Sequence, residues 1–236
     1  MNLNDPNIQL LETVAGQLGE ELCEELVFVG GAVAGLLITD PAMPSIRPTE
    51  DVDTVCRVQA LTEYHRIEDR LRARGFVQDL SQEWPICRWR IAELRSAIVD
   101  VMPTLDHILG FSNRWYPLAL ETAVPVKLPS GRVIRLVNAP VFVATKLEAF
   151  AGRGKGDYLS SHDLEDLLAI IDGRATLLDE CQTSGAELRT YLAERFGELL
   201  MTPAFVEALS GHLPGDAASQ ARLPDLLVKL QAIAKL

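Results

Sequence analysis

The chain has 236 residues, 48% hydrophobic and 23% charged, with 33 acidic against 22 basic side chains and a formal net charge of -11. This is the composition of a globular protein long enough to bury a sizeable core, and it excludes disordered and collagen-like classes. No apolar run approaches the roughly eighteen residues that cross a membrane, and Met-Asn-Leu-Asn-Asp lacks the basic and apolar regions of a signal peptide, so a cytoplasmic location is expected.

Ile8, Leu11, Val14, Leu18 and Leu22 repeat at helical spacing and predict an amphipathic helix over 7–25. Leu26 to Val29 reads as a strand, Gly30 and Gly31 as a turn, and Ala32 to Ile38 as a helix. A loop from Asp40 to Glu50 carries Pro41, Pro44 and Pro48. A second strand is expected from Asp51 to Val58, followed by a charged helix from Leu61 to Arg74 that stops at Gly75. Strands over Ile86 to Ala92 and Ala97 to Met102, joined near Leu94 and Arg95, come next. The segment from Leu105 to Tyr116 reads as irregular.

Ala123 to Leu128 and Val133 to Val137 flank the turn composition Pro129-Ser-Gly-Arg132 and predict a hairpin. Beyond Asn138 the pattern is helical, over about 140–151, 161–173, 185–200, 203–210 and 223–235. The predicted class is therefore α/β (α+β), a sheet-bearing half over 1–138 and a helical half over 139–236. With no flexible linker between them, one compact body with two lobes is expected.

The chemistry concentrates on Asp51 and Asp53. Side chains at i and i+2 of a strand project to one face, so both carboxylates can grip the same cations. Asp100, inside the second apolar run Ala97-Ile-Val-Asp-Val-Met102, is placed to join them from a neighbouring strand. An acidic pair at a strand start also serves as a solvated edge that discourages aggregation. Val52, Val55 and Val58 favour a buried strand instead, where carboxylates are costly unless they hold a cation. Three converging aspartates suit magnesium, which takes carboxylate, water and phosphate oxygens and serves phosphoryl and nucleotidyl transfer. Gly30 and Gly31, between a strand and a helix, would let backbone amides approach a phosphate, with the helix N-terminus adding a favourable field.

These residues, Gly30-Gly31, Asp51-Val-Asp53 and Asp100, resemble the DNA polymerase beta-like nucleotidyltransferase superfamily, and most nearly the AbiEii and MenT type of bacterial nucleotidyltransferases. The resemblance runs on through Ala144-Thr-Lys-Leu-Glu-Ala-Phe-Ala-Gly-Arg153 and Ser161-His-Asp-Leu-Glu-Asp-Leu167, covering residues 26 to 173. It implies a mixed sheet with flanking helices and a C-terminal helical lobe whose Lys146 and Asp163 complete the site. It further implies transfer of a nucleoside monophosphate from a triphosphate to a hydroxyl of a tRNA end or a protein, with two magnesium ions held by Asp51, Asp53 and Asp100. Asp100 would also act as, or orient, the base. Many members are toxins, so a cognate antitoxin is an implied partner. The loop before Asp51 is longer than the family's pattern, and Gly31 stands where a serine is usual. Triphosphate contacts would then fall to Gly30, Gly31, Arg47, Thr49, Lys146 and Arg153.

Two other classes stay open: an antibiotic nucleotidyltransferase, whose acidic surface would suit a cationic aminoglycoside, and a catalytically silent nucleotide-binding module. The acidic balance disfavours a polyanionic acceptor, because cationic side chains supply most of that affinity. A basic patch formed by His65-Arg-Ile-Glu-Asp-Arg-Leu-Arg-Ala-Arg74 or by Arg88, Arg90 and Arg95 would offset this, while a solvated face explains the same arginines. Gly110, Phe111, Asn113, Arg114, Trp115 and Tyr116 either cover a nucleotide base or pack beneath their own loop. The Gly152-Arg-Gly-Lys-Gly-Asp157 loop is a cationic clamp or a plain flexible connection. Lys146 sits at the edge of an apolar stripe of Val143, Leu147 and Phe150, within reach of a phosphate or simply solvated. Asp163 belongs to the site or caps its helix. Cys23, Cys56, Cys87 and Cys181 read as reduced and buried, and the dispersed histidines make zinc unexpected; His162 is a surface neighbour of Asp163 or a catalytic group.

Overall fold

The computed structural model describes residues 4–80, 86–94 and 97–236. Arg95, expected in a strand turn and a basic patch, lies outside the described residues. The chain divides into two compact units: Met1–Gly35 with Arg47–Asn138, and Leu36–Ile46 with Ala139–Leu236.

The first unit begins with helix α1, Pro6–Glu25. Asp5 caps it, accepting from the Asn7 and Ile8 amides at 2.8 and 3.4 Å, and Pro6 supplies a helical φ where no amide is needed. Its predicted apolar face, Ile8, Leu11, Val14, Leu18 and Leu22, is buried throughout. Gly19 breaks the helical path at φ 76°. Strand β1, Val27–Val29, leads into a single 3-10 turn, Gly31–Val33, and a four-residue helix α2, Ala34–Leu37. The helix expected over 32–38 is thus shorter and partly 3-10, so it offers little of the dipole field assigned to it.

The remainder of this unit comprises β2 (Asp51–Cys56), α3 (Leu61–Ala73), β3 (Phe76–Gln78), β4 (Arg88–Ile91) and β5 (Ile98–Pro103). These are followed by α4 (Asp106–Leu109), α5 (Tyr116–Thr122), β6 (Val124–Lys127) and β7 (Val133–Leu136). The segment expected to be irregular over 105–116 contains α4 and the start of α5. Trp115, just before α5, is 3% exposed, which favours the packed reading for that ring, while Phe111 and Tyr116 are half-buried. The strands form a mixed seven-stranded sheet in the order β3-β4-β5-β2-β1-β7-β6. β2 pairs parallel with β5, and β1 parallel with β7. Ile98 to Val101 are all buried, so β5 is covered on both faces, and its only polar side chain, Asp100, is carried into the interior. Thr54 Oγ1 donates to Asp100 O at 3.1 Å and Tyr64 OH to Val101 O at 2.8 Å, fixing β5 to β2 and α3.

The second unit is helical: α6 (Ala139–Arg153), α7 (His162–Gly173), α8 (Leu177–Thr183), α9 (Ala186–Leu200), α10 (Pro203–Ala208), α11 (Ala217–Gln220) and α12 (Leu223–Ile233). Phe142, Leu164, Leu167, Leu192, Phe196, Leu226 and Leu230 form its core. The first half of the proline-bearing loop belongs here. Thr39 N and Asp40 N donate to Gly173 O at 3.0 and 2.9 Å, and Arg174 Nη1 donates to Leu37 O at 2.7 Å. Gly173 permits this approach, since a Cβ there would meet Met43 Cγ at 2.8 Å. Arg222 then bridges Asp40 Oδ2 at 2.8 Å and the buried Asp172 Oδ2 at 2.7 Å. No helix among the described residues is long and apolar enough to cross a membrane.

Removing one partner of a buried ion pair strands the other charge in low dielectric. Arg222→Met should therefore lower unfolding free energy by about 1–3 kcal/mol in urea denaturation, because Asp172, 3% exposed, is left with Lys229 Nζ at 3.6 Å as its cation.

Candidate active site

In the first unit the strand register builds one row of charge across the sheet. Asp53 lies opposite Asp100 in the parallel β2/β5 pair, and Arg88 lies opposite Asp100 in the antiparallel β4/β5 pair. On the other side of β2, Asp53 faces Val29, the last residue before the glycine turn. Gly30 adopts φ 73°, and a Cβ there would lie 1.9 Å from Asp53 Oδ2, so this position admits no side chain while Asp53 keeps its place. Asp51, two residues before Asp53, is half-buried on the same face, and Val52, Val55 and Val58 are buried as expected.

Arg88 holds the acidic residues together. Its Nε donates to Asp100 Oδ1 at 2.9 Å and its Nη2 to Asp100 Oδ2 at 2.7 Å, a two-point fork, while Nη2 also donates to Asp51 Oδ2 at 2.7 Å. Arg88 is 7% exposed and Asp100 5%. The hydrogen bonds it donates to Asp100 hold the guanidinium firmly charged, outweighing its own burial. Burial pushes the Asp100 carboxyl up from the usual range; the Arg88 fork and charge oppose this, and the Asp51 charge adds to it. Cys87, on the adjoining strand end, is pushed up by burial and then by the charges of Asp100 and Asp53, which leaves an unreactive thiol.

The donor set, three carboxylates and no sulfur or imidazole, fits a hard divalent cation in its chemistry. Its arrangement differs from the expected bare triad. Among the described residues no three acidic, His or Cys side chains converge as a ready metal cluster, and the Arg88 guanidinium bridges Asp51 and Asp100. Both Asp100 oxygens accept from Arg88, so this carboxylate is engaged where the sequence expectation had it as ligand and base.

Arg47 and Thr49 lie on the approach to β2. The Asn7 side chain donates to Arg47 O at 3.0 Å and accepts from Thr49 N at 2.9 Å, and Thr49 Oγ1 donates to Asp51 O at 3.1 Å. These bonds set the path of the chain into Asp51. Several arginines of the possible basic patch are paired instead: Arg70 with Glu25, Arg72 with Asp69 at 2.9 Å, and Arg90 with Asp79 at 2.7 Å.

The second unit brings Lys146, Arg153 and Asp163 together, with Asp166 added. Lys146 was expected at an edge with a free reach. It is instead 7% exposed, because the opening residues of α6, Ala139 to Leu147, are buried on every side. Its Nζ donates to Asp166 Oδ2 at 2.6 Å and to Asp163 Oδ1 at 3.3 Å. Arg153 forks onto Asp163 through Nε and Nη2 at 2.9 and 2.8 Å. Ser161, and not Asp163, caps α7, accepting from Leu164 N. Burial pushes Asp163 up, but the Arg153 bonds and the Lys146 charge outweigh it and hold the carboxyl below its ordinary range. His162 is exposed and lies 3.1 Å from Glu165.

Sequence reasoning put Arg88 in a basic patch or on a solvated edge strand. Its signal lay in its neighbours: Cys87 and Trp89 are strongly apolar, and an arginine in a strand buried on both faces must meet a carboxylate.

The mixed sheet with its flanking helices has counterparts among solved structures. The chain is similar to an antigenic nucleotidyltransferase-like protein from Paracoccidioides brasiliensis, with 19% identity and a TM-score of 0.50 over 88% of this chain and 94% of that one. It is also similar to JHP933 from Helicobacter pylori, with 13% identity and a TM-score of 0.48 over 96% and 92%. The first likeness establishes a nucleotidyltransferase-like fold. No protein-family model and no curated protein matches the sequence.

Two substitutions test the local geometry. Gly30→Ala should cost about 1–3 kcal/mol in urea unfolding, because a left-handed backbone and the Asp53 carboxylate cannot both tolerate a methyl group. For Lys146→Met the loss of the 2.6 Å bond to buried Asp166 lowers stability near neutral pH, and acid stability changes as well. Asp163 ionises more readily folded than unfolded, so its charge stabilises the protein above the ordinary aspartate value near about pH 4, and this is lost as pH falls through the depressed folded value. Removing Lys146 takes away one cause of the depression. The acid-unfolding midpoint followed by circular dichroism should move to higher pH.

Proposed function

We propose that this protein is a magnesium-dependent nucleotidyltransferase that moves a nucleoside monophosphate from a nucleoside triphosphate to an acceptor hydroxyl. The observation that carries the reading is the row formed by Gly30, Asp53 and Asp100, with Asp51 beside it, on a nucleotidyltransferase-like fold. Asp51 and Asp53 would hold the magnesium ions, with Asp100 as the further ligand. Bound there, magnesium supplies charge neutralisation of the triphosphate and activation of the attacking hydroxyl. The Gly30-Gly31 turn presents backbone amides without side chains in front of Asp53, which suits close approach of a phosphate. In the transfer, the acceptor oxygen bonds to the α-phosphorus, the bond to pyrophosphate breaks, and the hydroxyl proton passes to a carboxylate oxygen of Asp100.

The motif resemblance to AbiEii and MenT proteins favours a tRNA end or a protein as acceptor, in the setting of a toxin with its antitoxin. The paired arginines of α3 and the charge of -11 favour the protein within that choice. A silent nucleotide-binding module is the second reading, and the engagement of Asp100 by Arg88 is the observation in its favour.

Each of the four α-labelled nucleoside triphosphates, supplied with magnesium to total cellular RNA and protein, should show which reading holds. Label is expected on one macromolecular class with one nucleotide, falling to background in Asp51→Ala and Asp53→Ala. Transfer that survives both substitutions would overturn the assignment, and triphosphate binding without transfer to any acceptor would support the module.

A further inference from the structure

Arg88 occupies the position in which a cation is needed. Two of its nitrogens make three hydrogen bonds to Asp100 and Asp51 at 2.7 to 2.9 Å, and its side chain is nearly as buried as that of Asp100. Two carboxylates held this close together need a positive charge, and either a guanidinium or a divalent ion can provide it. A divalent ion and the guanidinium on the same oxygens would repel each other at contact distance, so joint occupancy is disfavoured even though each oxygen keeps a second lone pair. The cluster is also reachable: the Asp51 side chain is 33% exposed while those of Arg88 and Asp100 are 9% and 7%. Asp53 enters from the far side of the row, in register with Asp100, and is set by the glycine turn.

We infer that Arg88 is an exchangeable counter-ion that competes with the divalent cation for Asp51 and Asp100, so that metal loading and the Arg88 clasp are alternative states of one site. The inference rests on the metal-dependent reading above and deepens it. Arg88 acts through the metal-binding carboxylates and is a positioning residue. With the clasp closed, the single guanidinium charge offsets part of the negative charge of Asp51 and Asp100 and holds the two carboxylates together without metal. With it open, those oxygens are available as ligands, and Asp100 can accept a proton. A guanidinium released from carboxylates carries the fork that also matches phosphate oxygens, which gives it a partner when a triphosphate is present.

The test is Mn2+ binding to the full-length chain without nucleotide, followed by the electron paramagnetic resonance signal of the free ion. Arg88→Gln should bind Mn2+ at least about tenfold more tightly than the unmodified protein, since a competing positive charge has been removed from the ligands. Its melting temperature should be lower in metal-free buffer and should rise further on adding Mn2+ than that of the unmodified protein. Equal or weaker binding by Arg88→Gln overturns the inference. If that variant does not fold, Arg88→Lys, which keeps the charge and loses the fork, should also bind more tightly than the unmodified protein, and equal or weaker binding has the same meaning. Binding that is unchanged by either Arg88 substitution but lost in Asp51→Asn would overturn the exchange while leaving the metal site standing. Absence of binding in every variant would overturn both.

Discussion

The first unit is organised by the need to neutralise carboxylates inside a sheet. Asp100 lies in a strand covered on both faces, where an isolated charge is prohibitive. Its compensation comes from the neighbouring strand, and this is possible only because β4 runs antiparallel to β5 in a register that sets Arg88 beside it. The parallel β2/β5 pairing then brings Asp53 to the other flank. Shifting either strand by one residue would turn these side chains to the opposite face and leave Asp100 without its cation. Strand order, register and the bare Gly30 are thus parts of a single electrostatic arrangement.

That arrangement explains which features were legible in the sequence. Asp51 and Asp53 show as an i, i+2 pair, and Asp100 as an acid in an apolar run, because both patterns are local. The long elements α1, α3, α6, α7 and α9 and the hairpin of β6 and β7 are legible for the same reason: each carries its own periodicity or turn composition. The elements that escape are short. β3 has three residues, one of them the exposed Val77, and exists because β4 offers it a ladder. α8 and α11 are seven and four residues long, too short for a period to emerge. α5 has a local start signal in Pro117, obscured by the aromatic cluster just before it.

The charge pairings escape for a different reason. Arg88 and Asp100 are twelve positions apart and Lys146 and Asp166 twenty, so only the tertiary fold joins them. A cationic side chain in a sequence reads by default as solvated, and both of these proved to be among the least exposed. The proline-bearing loop before Asp51 is similar. Its extra length looks like an irregularity until Asp40 is seen joined to Arg222 and Gly173, far along the chain.

The two units solve the same problem with different degrees of closure. In the helical unit Lys146 lies between the side chains of Asp163 and Asp166, which are 7% and 1% exposed, and Arg153 covers Asp163 from outside. Nothing there gives an incoming ion a partly hydrated ligand with which to begin. In the sheet unit the third member, Asp51, stands one-third exposed at the mouth of an otherwise buried cluster. Under the exchange proposed above, a hydrated cation would engage Asp51 before losing its remaining water, so the desolvation penalty would be met in steps. The lysine cluster therefore has the form of a permanent fixture, whereas the arginine cluster has the accessibility that exchange requires.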